Sequence, residues 1–565
     1  MYLRRALLLL AFVACVWTAA VVLTGGFTLG PTALRVSSHG VVRPLLVAVV
    51  LGALYFFLYR QHVDVDLEFL TDLPWPPIIA ALAAFAALLI GIEFSGFIGA
   101  GPDPSGYVSQ AEKWVRGELT TPVPEWAQGL GGISGVQSAA PVGYVPDPHK
   151  TTLVPVYAPG LPLIMAAFER IGGRDAVFYV VPLLGALAVW MTYILGRRMA
   201  SSWAGALASV LVLCSPPFLR MLIMPMSDVP AAACWITAMV VSWRARTRDA
   251  IVCGIVTGVA ILIRPNLVPL AAVPAMLLLA APEARVRRIV LFGLSVAPAA
   301  LFIAALNSRW YGSPLTSGYG TLDALYSIDR VGPNITRYGS YFVLTQTPIA
   351  FLWLAAPFVR RIDRREHLKC VLVTVVYPLA VLAMYVAYLW PDAWLYLRFL
   401  LPALPAVCAG LAIVFTTFVD RVRPRAAALV AVVAVTASMA MQQWVFVASD
   451  GLFEEARSER RFARAVEFAN RLPPNAILVS EAYSGTLHFY TGHDVLLWRT
   501  IDASRFDRAL EYFQERRRPV YFIGDPLEEE AFREYLEGTD GAARFEKGHF
   551  PDIGDVFVAS DLTRH

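Results

Sequence analysis

Apolar residues run along this chain in long unbroken stretches, and polar residues collect in the gaps between them. A bilayer-spanning helix needs about 20 apolar residues. Runs of roughly that kind fall near 6–25, 41–59, 76–96, 176–195, 202–218, 228–243, 250–263, 266–281, 289–306, 346–358, 369–389, 399–417 and 426–441. The pattern predicts a polytopic α-helical membrane protein with about thirteen transmembrane helices. The first run follows Arg4 and Arg5, is long, and is followed by more spans, so it reads as an uncleaved anchor rather than a signal peptide. Beyond residue 442 the period changes. A polar helix at 455–472 leads to Pro473 and Pro474, a strand at 476–480, a turn and helix from Gly485, a strand at 495–498, a helix at 502–517, and strands at 519–523 and 555–559. Strands alternating with helices predict a small C-terminal α/β domain over 442–565.

Composition agrees with this class and narrows the partners. The 565 residues are 57% hydrophobic and 16% charged, against about a quarter charged in soluble domains, which excludes a water-soluble enzyme and a disordered chain. A net charge of +4 without a long basic run gives no reason to expect nucleic acid. The six cysteines lie in or at the ends of apolar runs and have no metal-ligand spacing with histidine. No cofactor is expected, and a divalent metal stays open.

Orientation follows from the short loops. With the N-terminus inside, one side collects Arg4/Arg5, Arg60, Arg197/Arg198, Arg244/Arg246/Arg248, Arg285/Arg287/Arg288, Arg360/Arg361/Arg364/Arg365 and Arg421/Arg423/Arg425. That is the cytoplasmic face by the positive-inside rule. It leaves the loops 97–175 and 307–345 and the tail outside, with an N-terminal hairpin at 1–60 preceding a membrane region at 61–441.

Several outer-face residues invite chemistry. Asp103 opens an amphipathic segment, 103–116, in which Tyr107, Val108, Ala111, Trp114 and Val115 recur at helical spacing; a helix lying on the membrane surface is expected. Asp103 is either a helix cap or a general base held where loop and membrane meet. Ahead of Pro230, Ser227 or Asp228 reads as a helix cap, and a cap at the outer mouth still points a carboxylate into a cavity. Arg264 and Arg398 interrupt apolar stretches on the side where positive charge is scarce. They either snorkel to the interface or hold a phosphate, whose oxygens match a guanidinium fork. Lys150 and Tyr157 stand in the first outer loop, as a solvated charge and an interfacial ring or as substrate contacts. Asp64 and Asp66 match the D-x-D of nucleotide-sugar transferases without a nucleotide-binding fold around them. The glycines from Gly129 to Gly135 lack a preceding strand and the third glycine of a dinucleotide fingerprint. Asn334 and Thr336 form a glycosylation-type triplet of the kind expected by chance.

Taken in order, the stretch from Asp103 to Arg116, Tyr157 to Met165, Pro182 to Arg198, Met226 to Pro230, Ile263 to Pro265, Trp310 to Leu315 and Arg398 to Pro402 resembles the lipid-linked GT-C membrane glycosyltransferases. The resemblance is to glycosyltransferase family 39, which includes protein O-mannosyltransferases and aminoarabinose lipid A transferases, and it covers about residues 97 to 417. It implies GT-C architecture, a plasma-membrane setting, a polyprenyl-phosphate-linked sugar as donor and inversion at the transferred sugar. It also implies Asp103 as base, Asp228 as supporting acid, and Arg264 and Arg398 as phosphate ligands, with Tyr107, Lys150 and Tyr157 nearby. The acceptor, whether protein, lipid or glycan, is left open. Two departures stand out: the acidic loop follows the third span rather than the first, and Asp103 precedes Pro104 where the family often has an Asp-Glu pair. A transporter or flippase for a lipid-linked solute is the alternative. Such proteins place ionisable groups near the bilayer midplane, and here Glu93 is the one acid found inside a predicted span.

The orientation is open to a direct test. A reporter active only outside the cytoplasm should work when fused after residue 445 and fail when fused at Arg248; the opposite pattern would invert the assignment.

Overall fold

The structure is a computed structural model and describes residues 2–24, 27–29, 36–38, 40–130, 135–389, 392–454, 459–537, 540–548, 550 and 557–563. Among these, seven helices are long and apolar enough to cross a membrane: Val42–Asp66, Trp75–Glu93, Arg174–Met199, Arg285–Tyr311, Arg364–Val386, Trp394–Arg421 and Arg425–Ser449. The pair Ser202–Cys214 and Pro216–Leu222, bent by 67° at Ser215, makes an eighth if it is one span.

Helices of spanning length among the described residues thus number seven or eight, against the thirteen spans expected. The apolar run at 228–243 is a 15-residue helix, Asp228–Ser242, with all but two residues buried by protein. A helix that is apolar all round is a core helix as readily as a lipid-facing one, and composition alone does not separate them. The run at 266–281 is split into a 3₁₀ turn, Pro265–Ala271, and a short helix, Ala272–Leu279. That at 346–358 is a 3₁₀ segment, Pro348–Ala355; prolines break both. The first run is helical over Tyr2–Thr24. Its Arg4 reaches Asp66, which also accepts from Tyr55 Oη at 2.8 Å. Asp66 is itself buried and therefore serves as the partner of Arg4 and Tyr55. The glycine run is described only at its ends, since 131–134 lie outside the described residues.

The tail builds a four-stranded sheet in the order Asp494–Leu496, Ile477–Val479, Val520–Gly524, Val558–Asp561. The first three strands are parallel and the last antiparallel. Helices Arg460–Ala469, Ser484–Thr491, Ala503–Glu515, Pro526–Tyr535 and Asp540–Gly548 accompany it.

This sheet does not stand apart from the first outer loop. Trp126, Leu130, Ala139, Tyr144 and Leu153 of the loop share one buried cluster with Ile477, Leu496, Phe513 and Phe522 of the tail. Backbone bonds fasten the two: Leu497 N–H donates to Ser138 O at 2.8 Å, and Gly99 N–H to Tyr490 Oη at 2.9 Å. The helix Pro102–Arg116 lies between this body and the membrane helices, and every residue from Pro104 to Glu112 is buried. The expectation of a helix resting on the lipid surface is corrected here: the tail covers the face that amphipathicity assigned to water. Gly485 packs so closely on Ser105 that a Cβ would sit 2.4 Å from its Oγ.

A second close approach sets the site's floor. At Gly160, the start of helix Gly160–Gly172, a Cβ would lie 2.4 Å from the backbone at Leu262 and Ile263, one residue before Arg264. Backbone on backbone cannot yield as a side chain can. Gly160→Ala is therefore expected to lower stability by about 1–3 kcal/mol, read as a depressed melting midpoint in detergent, while Gly339→Ala, where the space is open, should leave it unchanged.

Candidate active site

Three chain breaks converge on one point. Gly101, at φ +76°, turns the chain in a way other residues resist, and Pro102 then starts the helix that carries Asp103. Ser227 precedes helix Asp228–Ser242. Arg264 ends helix Thr247–Ile263 with extended backbone, φ −140° and ψ 87°, because Pro265 disfavours the helical region for the residue before it.

Neither acid is a cap. No side-chain cap bond forms at Gly101 or Ser227. Instead Asp103 Oδ2 accepts from both Nη1 and Nη2 of Arg398, each at 3.1 Å, and Asp103 Oδ1 accepts from Tyr157 Oη at 2.8 Å. Its position in a helix's first turn also favours its negative charge. Asp228 Oδ1 accepts from Arg264 Nη2 at 2.6 Å. Arg264 Nε donates to Ser227 Oγ at 3.1 Å, and its Nη1 to Tyr385 Oη at 3.3 Å. Ser227 Oγ also accepts from Tyr107 Oη at 3.0 Å. The aromatic ring of Phe399 sits under both guanidinium groups, at 5.7 Å from Arg264 and 5.3 Å from Arg398, and stacks on Tyr385.

The two ion pairs differ in exposure. Asp228 is fully buried and every arm of Arg264 has a partner, whereas the Asp103 side chain is 30% exposed and Arg398 16%. Asp103 and Arg398 line a cavity of about 420 Å³ with Met226 and Tyr396 on the membrane side. The tail closes it with Glu459, Arg461, Phe462, Ala482 and Asp525. Burial, with the Asp103 charge adding to it, pushes the Tyr107 and Tyr157 phenols well above their ordinary value. Both stay protonated donors at neutral pH, and their rings lie 4.6 Å apart.

Six of the seven residues singled out from the sequence, Asp103, Tyr107, Tyr157, Asp228, Arg264 and Arg398, thus meet in one network. Lys150 does not join it. It occupies the exposed turn between strands Tyr144–Pro146 and Thr152–Pro155 and is absent from the cavity wall. Asn334 is buried and its amide donates to Val386 O and Tyr388 O, so the glycosylation-type triplet is structural. Sequence reasoning gave Ser227 only as a candidate helix cap and missed Tyr385 and Phe399. Ser227 was visible as the neighbour of Asp228, while the two aromatics are indistinguishable from ordinary residues of an apolar run. Among the described residues no three His, Cys, Asp or Glu side chains gather as a metal site would require.

This is a multi-pass membrane protein with the GT-C fold. Residues 155–310 match the family described as dolichyl-phosphate-mannose-protein mannosyltransferase. The chain is similar to ArnT from Cupriavidus metallidurans, solved bound to undecaprenyl phosphate, at 15% identity and a TM-score of 0.53, covering 85% of this chain and 97% of that one. It is also similar to the archaeal oligosaccharyltransferase AglB from Archaeoglobus fulgidus, solved with an inhibitory peptide and a dolichol-phosphate. There the identity is 13% and the TM-score 0.52, over 84% of this chain and 72% of that one. No curated protein matches the chain by sequence.

The contrast between the two pairs predicts a contrast in stability. Arg264→Gln leaves the Asp228 charge buried and unpaired and should cost about 3–5 kcal/mol. Arg398→Gln, at the partly open pair, should cost at most about 1 kcal/mol. Thermal unfolding of the two variants in the same detergent checks the difference.

Proposed function

We propose that the protein is an inverting membrane glycosyltransferase that moves a sugar from a polyprenyl-phosphate donor to an acceptor hydroxyl at the outer face of the membrane. The observation that carries this reading is Asp103, bonded to Arg398 and Tyr157 on the wall of a cavity shared by membrane helices and tail. The family match over 155–310, and the lipid phosphates bound by ArnT and AglB, support the donor class.

In this mechanism Asp103 takes the proton of the acceptor hydroxyl as its oxygen attacks the anomeric carbon. The bond from that carbon to the phosphate oxygen breaks in line, the lipid phosphate leaves with the electron pair, and configuration inverts. The Nη fork of Arg398 meets the charge that gathers on the departing phosphate. Arg264, with each arm already engaged, acts as a positioning residue: it fixes Ser227 and Asp228, and through Ser227 the Tyr107 ring that stacks near Tyr157. Tyr157 holds the Asp103 carboxylate in line with the cavity. Met221, Ile223, Met224 and Leu452 give the cavity an apolar side suited to a lipid tail, and Glu459, Arg461 and Asp525 give it a polar roof suited to the acceptor. The setting is the plasma membrane, with the N-terminus in the cytoplasm and the tail outside. Lys150, in its exposed turn away from the cavity wall, takes no part in this mechanism.

Purified protein incubated with a panel of radiolabelled polyprenyl-phosphate sugars should release lipid phosphate from one of them. Asp103→Asn should cut that turnover by about 10²–10⁴. Release from none of the panel, or near-normal turnover in the variant, would sink the mechanism.

A further inference from the structure

Two buried polar groups beside the site have no hydrogen-bond partner: the second oxygen of Asp228, Oδ2, and the Nε of Arg398. They are opposite in charge and chemically complementary. They are also neighbours: Met226, two residues before Asp228, touches Arg398 Nη1 through its Sδ at 3.5 Å, and the Asp228 charge acts on Arg398. A buried carboxylate oxygen without a partner is a standing cost, and the guanidinium now held by Asp103 is a cation with an unpartnered N–H on which the Asp228 charge acts.

We propose that Arg398 is a two-position arm whose exchange couples donor binding to activation of the base. Resting on the donor reading above, the arm has its Nη fork on Asp103 Oδ2 when the cavity holds no phosphate. When a polyprenyl phosphate enters, the fork passes to the phosphate oxygens and Nε swings to Asp228 Oδ2. Asp228, anchored by Arg264 through its other oxygen, is the fixed catch that receives it. No covalent bond changes in this step and no proton moves. Asp103 loses two hydrogen bonds from a cation and keeps the one from Tyr157, so it becomes a stronger base only once the donor is in place. A carboxylate still clamped by Arg398 would be a poor base toward water as well, which protects the site from wasted proton transfers while it is empty.

Exchange has a thermodynamic signature that a fixed phosphate ligand lacks. In the wild type, lipid phosphate must take Arg398 away from Asp103. Asp103→Asn removes that competitor, so the variant with the damaged base should bind undecaprenyl phosphate more tightly than wild type, by about three- to tenfold. Asp103→Glu, which keeps the charge, should show no such gain. Loss of negative charge near an anion would by itself raise affinity, and a double variant separates the two causes. In an Arg398→Gln background the Asp103→Asn gain should shrink to the part that loss of charge alone supplies, because no arm is left to release. Binding of undecaprenyl phosphate to purified full-length protein in detergent, followed by intrinsic fluorescence or calorimetry, reads all four forms. Equal or weaker binding by Asp103→Asn, or a gain as large without Arg398 as with it, overturns the exchange while leaving the donor reading intact. No binding by any form removes both.

Discussion

The enclosure of one short helix holds the rest of the molecule in place. Pro102–Arg116 is covered from Pro104 to Glu112 by membrane helices below and the tail above, and its first turn carries the carboxylate around which the site is built. A helix of this length is marginal alone in water; packing on both sides makes it a fixed element. The Gly106–Tyr157 and Gly485–Ser105 contacts allow that packing to be close. The direction in which Asp103 points is therefore set by two bodies at once.

Electrostatics then divides labour between two similar pairs. Asp228 and Arg264 are buried and saturated except for one carboxylate oxygen, so they act as scaffold. Asp103 and Arg398 sit at a cavity wall with solvent access, so their contact can be exchanged for a ligand at modest cost. The Phe399 ring lies within cation–π distance of both guanidinium groups. The same residue types thus take different roles because their burial differs.

Much of this was legible in the sequence, for reasons that stop at a definite point. Long apolar runs announced a membrane protein, and the change of period after 442 placed the tail strands within a residue or two of Ile477–Val479, Asp494–Leu496 and Val520–Gly524. The closing strand lies slightly later, at Val558–Asp561. Asp228–Ser242 is apolar and buried by protein, so an apolar run by itself does not tell a lipid-facing span from a core helix. Asp103, Asp228, Arg264 and Arg398 were conspicuous as charges in apolar surroundings. Their pairing was not, since Asp103 and Arg398 are 295 positions apart and no local rule links them. Capping, a local rule, pointed both acids toward their own helices, and long-range partners prevailed. Lys150 illustrates the converse, a charge whose residue type fits the chemistry but whose hairpin carries it to the surface.

The shared core of first loop and tail has a consequence for how the molecule is made. Trp126, Leu130, Tyr144 and Leu153 share their buried cluster with Ile477, Leu496, Phe513 and Phe522, which follow more than 300 positions later. At synthesis rates of about 5–20 residues per second, the loop waits for roughly tens of seconds with those side chains uncovered. During that interval Pro102–Arg116 has a floor but no roof, and Asp103 has no enclosed cavity to face. The cavity that Asp103 lines is accordingly among the last parts of the molecule to form, completed only when the tail has folded and closed over a loop made long before it.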